Sequence, residues 1–222
     1  MSSPPPERRD LMSVKPPLIG VLALQGDVAE HVRAMRAAGA RTSMVRRPAE
    51  LEVVDGLVIP GGESTTIWNL AETFGLAQPL RNRIQEGLPV FGSCAGLIML
   101  AATVLDPACE QETFGAINMT VRRNAFGRQV DSFETQVSIR GINGPPYHAV
   151  FIRAPWVEEV GAEVEVLAVE PRTSRVVAVR QGAALATAFH PELTEDARIA
   201  GLFVDMVRAG ARARPERSGA MV

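Results

Sequence analysis

The segment Leu88-Pro89-Val90-Phe91-Gly92-Ser93-Cys94-Ala95-Gly96-Leu97-Ile98-Met99-Leu100 constrains this chain most. An apolar run short enough for a buried strand meets a turn of small residues, and an apolar helix pattern follows. Only a chain that reverses direction sharply at the end of a strand needs that composition. The pattern predicts a strand–turn–helix elbow with Cys94 at its apex, in the place where many hydrolases carry a nucleophile. The first N–H groups of the helix would face the sulfur. A cysteine at a strand end can also be a plain core residue, so the reading depends on what else the chain brings to the same place.

The flanking sequence predicts the sheet to which such an elbow belongs. Leu18-Ile19-Gly20-Val21-Leu22-Ala23-Leu24 is a continuous apolar run, as expected of a central parallel strand. Gln25-Gly26-Asp27 follows as a turn in which Asp27 is placed to cap a helix. Val28, Val32 and Met35 give residues 28–38 a helical stripe that Gly39 ends. Further strands are expected at 42–45, 56–59 and 90–91, with helical pattern from 64 to 86 broken near Gly75. Residues 113–140 and 148–180 are β-rich, notably Thr135–Ile139 and Arg175–Val179, with a turn at 141–146. A late apolar strand spans 184–189, and Thr194 is placed to cap a final helix ending near Ala209. Strands alternating with helices imply an α/β fold, a flavodoxin-like three-layer sandwich. Its central sheet would be mostly parallel, covered by helices on both faces, with an added antiparallel β part. Residues 1–17 are expected to be a disordered leader, 18–209 a single domain and 210–222 a flexible Arg-rich tail.

A nucleophilic cysteine needs a base. The chain has three histidines, His31, His148 and His190. His190 closes the late strand in Phe189-His190-Pro191-Glu192, at the carboxyl end where groups in α/β sheets gather. Pro191 favours an extended His190. Positions i and i+2 then share a side, so Glu192 can reach the imidazole as the acid of a triad does. His31 is expected to be a satisfied histidine at the edge of the core. His148 has no acid near it in sequence, and Cys109 is expected to be structural or exposed. Ile59-Pro60-Gly61-Gly62-Glu63-Ser64-Thr65 ends a strand in glycines before a helix, a place where bare N–H groups suit an oxyanion. No Gly-Lys-Ser/Thr follows, which argues against a phosphate loop, and no Cys/His spacing suggests a metal.

With 23 basic against 25 acidic residues, the net charge of −2 gives no cause to expect nucleic-acid or anionic-membrane binding. No apolar run is long enough to span a bilayer, and the first ten residues carry no apolar signal-peptide stretch. Two cysteines make no disulfide framework. A cytoplasmic protein is expected.

Together the pieces resemble class I, triad-type glutamine amidotransferases. More specifically, Leu24–Asp27, Pro60–Thr66, Phe91–Leu97, Arg123–Glu134, Phe151-Ile152-Arg153-Ala154-Pro155 and Phe189–Asp196 resemble glutaminase subunits of pyridoxal 5′-phosphate synthase, over about residues 18–209. The resemblance implies Cys94, His190 and Glu192 as catalytic residues. It implies an oxyanion hole from the N–H groups of Gly62 and Ala95. The L-glutamine site would be lined by Gly62, Glu63, Ser64, Arg123, Ile152 and Arg153. It further implies glutamyl thioester chemistry, no cofactor and no metal, and ammonia passed to a barrel-shaped synthase subunit in a hetero-oligomer. Both the hydrolase and the lyase class follow from it. The competing readings are a stand-alone γ-glutamyl hydrolase or cysteine peptidase on the same scaffold, a glutaminase serving histidine or tryptophan synthesis, and a binding module with a dead site.

Overall fold

The structure, a computed structural model, describes residues 15–105, 111–123 and 132–213. In chain order the elements are β1 (Leu18–Leu22), α1 (Val28–Ala37), β2 (Arg41–Val45), α2 (Pro48–Glu52), β3 (Gly56–Ile59), α3 (Ser64–Thr73), α4 (Ala77–Gln85), β4 (Val90–Ser93), α5 (Ala95–Leu100) and β5 (Ala101–Leu105). There follow β6 (Ile117–Arg122), β7 (Ser132–Val137), β8 (Tyr147–Ile152), β9 (Trp156–Val160), β10 (Glu165–Val169), β11 (Val176–Gln181), β12 (Ala184–Thr187), a 3-10 turn at Pro191–Leu193, and α6 (Arg198–Ala213).

The large sheet has the order β2-β1-β3-β4-β12-β11-β9-β6-β5, with β10 also paired to β11. From β2 to β12 every pairing is parallel. Beyond β12 it becomes antiparallel through β11, β9 and β6, while β6 and β5 run parallel. β3, β4 and β12 are buried along their whole length, which is why their sequences show no alternation. The chain steps from β1 to β2 in one direction and then returns past β1 to β3. Right-handed crossovers therefore place α1 on one face and α2, α3 and α4 on the other. Contacts agree: α1 packs on β1, β2 and α6, whereas α3 packs on α4 and α5. The reversal also opens a crevice at the carboxyl ends of β1 and β3, the place where such sheets bind ligands.

Close packing at the elbow depends on glycine. A Cβ at Gly96 would run into the carbonyl of Ile59, and one at Gly92 into the backbone of Gly96. With hydrogen in both places, α5 lies directly on β3 and β4. β7 and β8 form a separate antiparallel ribbon. It is tied to the large sheet where the N–H of His190 donates to the carbonyl of Val150. The end of β8 is thereby laid beside the end of β12.

One helix start and one helix cap differ from expectation. α6 begins at Arg198, not after Thr194: the Thr194 hydroxyl donates to the Pro191 carbonyl, and Asp196 accepts the N–H of Arg198 at 3.1 Å in its place. Asp27 precedes α1, yet its side chain makes no cap bond. Cys109, the Asn124–Asp131 part of the specific string, and most of the leader and tail lie outside the described residues.

Candidate active site

Cys94 sits between β4 and α5 with φ 49° and ψ −103°, a left-handed conformation that a residue with a Cβ adopts at a cost of about 1–3 kcal/mol. Its own N–H donates to the carbonyl of Thr187 on β12 at 2.8 Å. The elbow is thereby fastened to the strand that carries the histidine. Ala95 is the first residue of α5, so its N–H has no carbonyl partner within the helix. The Cys94 thiol lies 3.8 Å from the carbonyl oxygen of Ile152.

β12 is the neighbour of β4, and His190 follows it. The imidazole Nδ1 is 2.7 Å from Glu192 Oε1, and both side chains are buried. Asp27 Oδ2 lies 3.5 Å from the same nitrogen. Burial works to lower the His190 pKa, but hydrogen bonds to Cys94 and to Glu192 outweigh it and raise the value to about 10. With Nδ1 given to Glu192, the bond to Cys94 falls to Nε2. Burial alone would raise Glu192; the adjacent His31 and His190 instead hold it at about 2. A sulfur, an imidazole and a carboxylate thus lie together at this strand end, the set that can serve as a nucleophile, a base and an orienting acid.

A cavity of about 270 Å³ opens over Cys94 and His190. Gly62, Glu63, Ser64, Ala95, Arg123, Ile152 and Arg153 all line it; Glu192 lies behind His190. Arg123 Nη2 is 2.6 Å from Glu63 Oε1, and Arg123 is nearly buried. Arg153 adopts φ 43° and reaches the rim from the end of β8. A larger cavity, of about 430 Å³, borders Glu192 from another side but does not include Cys94. Asp27, His190 and Glu192 bring three ligand-type atoms within 4.8 Å of one another. The 2.7 Å bond between two of them accounts for that closeness without a cation.

Residues 21–209 match the family model described as the SNO glutamine amidotransferase family. The chain belongs to the SNO glutamine amidotransferase family. It is 65% identical over 193 residues to "Pyridoxal 5′-phosphate synthase subunit PdxT" of Streptomyces avermitilis, covering 87% of this chain and 95% of that protein. The protein of the same name from Salinispora arenicola is 63% identical over 196 residues, 87% of this chain and 98% of its own. A crystal structure of a glutamine amidotransferase superposes with TM-score 0.80 at 46% identity, covering 86% of this chain and 98% of that one. The expected lyase class is corrected by these matches: glutamine amidotransferases release ammonia by hydrolysing an amide, so hydrolase alone applies.

In this member of the family, several residues facing the site escaped the sequence reading. Gln25 accepts the N–H of Glu63 at 2.8 Å, and Gln111 bridges Ser64 and Arg123 at 3.0 and 3.3 Å. Asp27 faces His190 instead of capping α1. His31 is not at the edge of the core. It is fully buried, with Nε2 2.9 Å from Ser93 Oγ and 3.4 Å from Glu192 Oε1, and its Nδ1 has no partner among the described residues. His148 lies away from the cavity, where strand pairing brings it 2.7 Å from exposed Glu134.

Proposed function

We propose that this chain hydrolyses L-glutamine to L-glutamate and ammonia and hands the ammonia to a synthase subunit that makes pyridoxal 5′-phosphate. The observation that carries the reading is the line Cys94–His190–Glu192 on neighbouring strand ends, in a chain of this family. His190, its pKa raised to about 10, already holds the proton given up by the Cys94 thiol, and the sulfur attacks the side-chain amide carbon. The N–H groups of Ala95 and Gly62 receive the developing oxyanion. Collapse of the tetrahedral intermediate breaks the C–N bond, and His190 returns its proton to the leaving nitrogen. Water, deprotonated by His190, then opens the glutamyl thioester and frees glutamate. Glu192 orients the imidazole throughout.

The cavity suits a free amino acid. The Arg123–Glu63 pair offers a guanidinium to an α-carboxylate and a carboxylate to an α-ammonium. Ser64, Ile152 and Arg153 complete the lining. A pocket of about 270 Å³ is small for a peptide, which weighs against a cysteine peptidase. Pyridoxal phosphate is the product of the assembly, not a cofactor of this chain. The partner is a barrel-shaped synthase subunit bound in a hetero-oligomer in the cytoplasm. Residues 18–209 act as one catalytic domain, with the leader and tail outside it.

Glutamate release from L-glutamine, measured with the chain alone and with a pyridoxal phosphate synthase subunit added, tests this. Release that rises with the partner and disappears in Cys94→Ala is expected. Release that persists in Cys94→Ala, or ignores the partner, refutes the assignment.

A further inference from the structure

The carboxylate of Glu192 is held in an unusual way. Its side chain is fully buried, yet Oε2 has no hydrogen-bond partner among the described residues. Glu192 borders the 430 Å³ cavity, together with His31, Phe91 and Thr194. No hydrogen bond at Oε2 therefore fixes the carboxylate. Its orientation rests on Oε1, which has two imidazole neighbours: His190 Nδ1 at 2.7 Å and His31 Nε2 at 3.4 Å. His31 is fixed in turn. It comes from α1, its ring meets Phe91 edge-on at 6.0 Å, and Nε2 lies 2.9 Å from the hydroxyl of Ser93, the residue before the nucleophile. The tautomer follows from its partners. A proton on Nδ1 would be a buried donor with nothing to receive it, the costlier kind of orphan. A proton on Nε2 faces both Ser93 Oγ and the carboxylate.

We propose that His31 is a positioning residue for the glutaminase reaction, sharing its one Nε2 proton between Ser93 Oγ at 2.9 Å and Glu192 Oε1 at 3.4 Å, so that it holds the acid against His190 and links it back to the nucleophile turn. This rests on the glutaminase reading above. It explains why an imidazole is buried in the core, a place where His usually gains nothing. It also explains how a carboxylate with one bare oxygen keeps a single orientation. The chain of contacts runs Cys94, His190, Glu192, His31, Ser93 and back to Cys94, so that acid and nucleophile share one closed frame.

The test compares His31→Leu, His31→Gln and the wild type, each with the synthase subunit present and with Cys94→Ala as control. Leu removes the donor at similar bulk; Gln places an amide N–H near the position of Nε2. His31→Leu should lower kcat for glutamine hydrolysis about tenfold, the size expected for losing one hydrogen bond to a charged group. KM should stay within about twofold, because His31 does not line the substrate cavity. His31→Gln should recover most of the rate. A second readout does not need activity. The Nδ1 proton of His190, sheltered by Glu192, should give a downfield NMR signal in the wild type and in His31→Gln, and that signal should broaden or vanish in His31→Leu. A His31→Leu variant with wild-type kcat and an unchanged His190 signal overturns the proposal. So does a loss of rate in which the signal persists, since that is a packing defect. If His31→Leu does not fold, an unshifted His190 signal in Ser93→Ala together with a dead His31→Gln overturns it. If the wild type hydrolyses no glutamine, the glutaminase reading fails, and the NMR comparison still decides whether His31 holds Glu192.

Discussion

Replacing Glu192 with Gln keeps the shape of the side chain and removes its charge, and the cost can be worked from the two pKa shifts it shares. Glu192 is held at about 2 against an ordinary 4.5. Its contribution to stability is complete above pH 4.5 and is lost as pH falls toward 2. His190 is raised to about 10 against 6.5. Its contribution is complete below pH 6.5 and is lost as pH rises toward 10. The pair is thus worth most between pH 4.5 and 6.5. At about 1.4 kcal/mol per pH unit, Glu192 accounts for about 3 kcal/mol on that plateau. Between pH 5.5 and 8.5 the wild type should lose about 3 kcal/mol through His190 alone. That range lies below the ordinary titration of Tyr147, which is itself pushed up to about 12. Glu192→Gln should therefore be about 3 kcal/mol less stable at pH 5.5, or about 6–12 °C lower in Tm for a domain of this size. It should also fall off much less steeply toward pH 8.5, because His190 keeps only its bond to Cys94. Urea unfolding at pH 5.5, 7 and 8.5 measures both effects. A wild type equally stable at pH 5.5 and 8.5, or a variant that declines in parallel with it, would refute the assignment of these charges.

Three further outcomes follow from local geometry. Cys94→Gly should be inactive but about 1 kcal/mol more stable than Cys94→Ala, since glycine relieves the φ of 49° that alanine retains; thermal unfolding of the two inactive variants decides it, and equal midpoints count against strain at the turn. Gly61→Ala should lower kcat by about 100-fold with the fold kept, because the new methyl would stand 2.5 Å from His190 Cε1 and displace the ring from both partners; an unchanged kcat would show that the ring is not confined there. Tyr147→Phe should cost about 1 kcal/mol, as the hydroxyl ties β8 to Thr194 and Asp196 beyond Glu192; denaturant unfolding within 0.3 kcal/mol of wild type, as an order-of-magnitude bound, would mean that these bonds carry nothing.

What was legible in the sequence shares one physical property: the partners lie within a few residues of each other. His190 and Glu192 are two apart, and a proline sets the backbone between them. The Cys94 turn is written in adjacent glycines, alanine and serine. Continuous apolar runs announce the parallel strands because those strands are buried on both faces. Short or tertiary-dependent pieces were missed. α2 has five residues, too few for a period to show, and the start of α6 is displaced because Asp196, not Thr194, accepts the N–H of its first residue. The pairs around Cys94, His190 and Glu192 are distant in sequence. Gln25 reaches Glu63 across 38 positions, Ser64 reaches Gln111 across 47, and His31 reaches Ser93 across 62. No local pattern encodes such pairs; the strand order does.

That order also explains why His31 and Asp27 both read as ordinary parts of an amphipathic helix. The start of α1 leaves β1, two strands from β4 and three from β12. The Pro191–Leu193 turn folds back from the end of β12 onto α1, so the first turns of the helix meet Glu192. A histidine on the core-facing side of such a helix is an odd choice for packing alone. It becomes explicable once the turn after β12 brings a half-satisfied carboxylate to 3.4 Å from its Nε2. The chemistry of the line from Cys94 to Glu192 can be read one residue at a time. What keeps that line straight is a property of the sheet, and it comes into view only when strands far apart in sequence are set side by side.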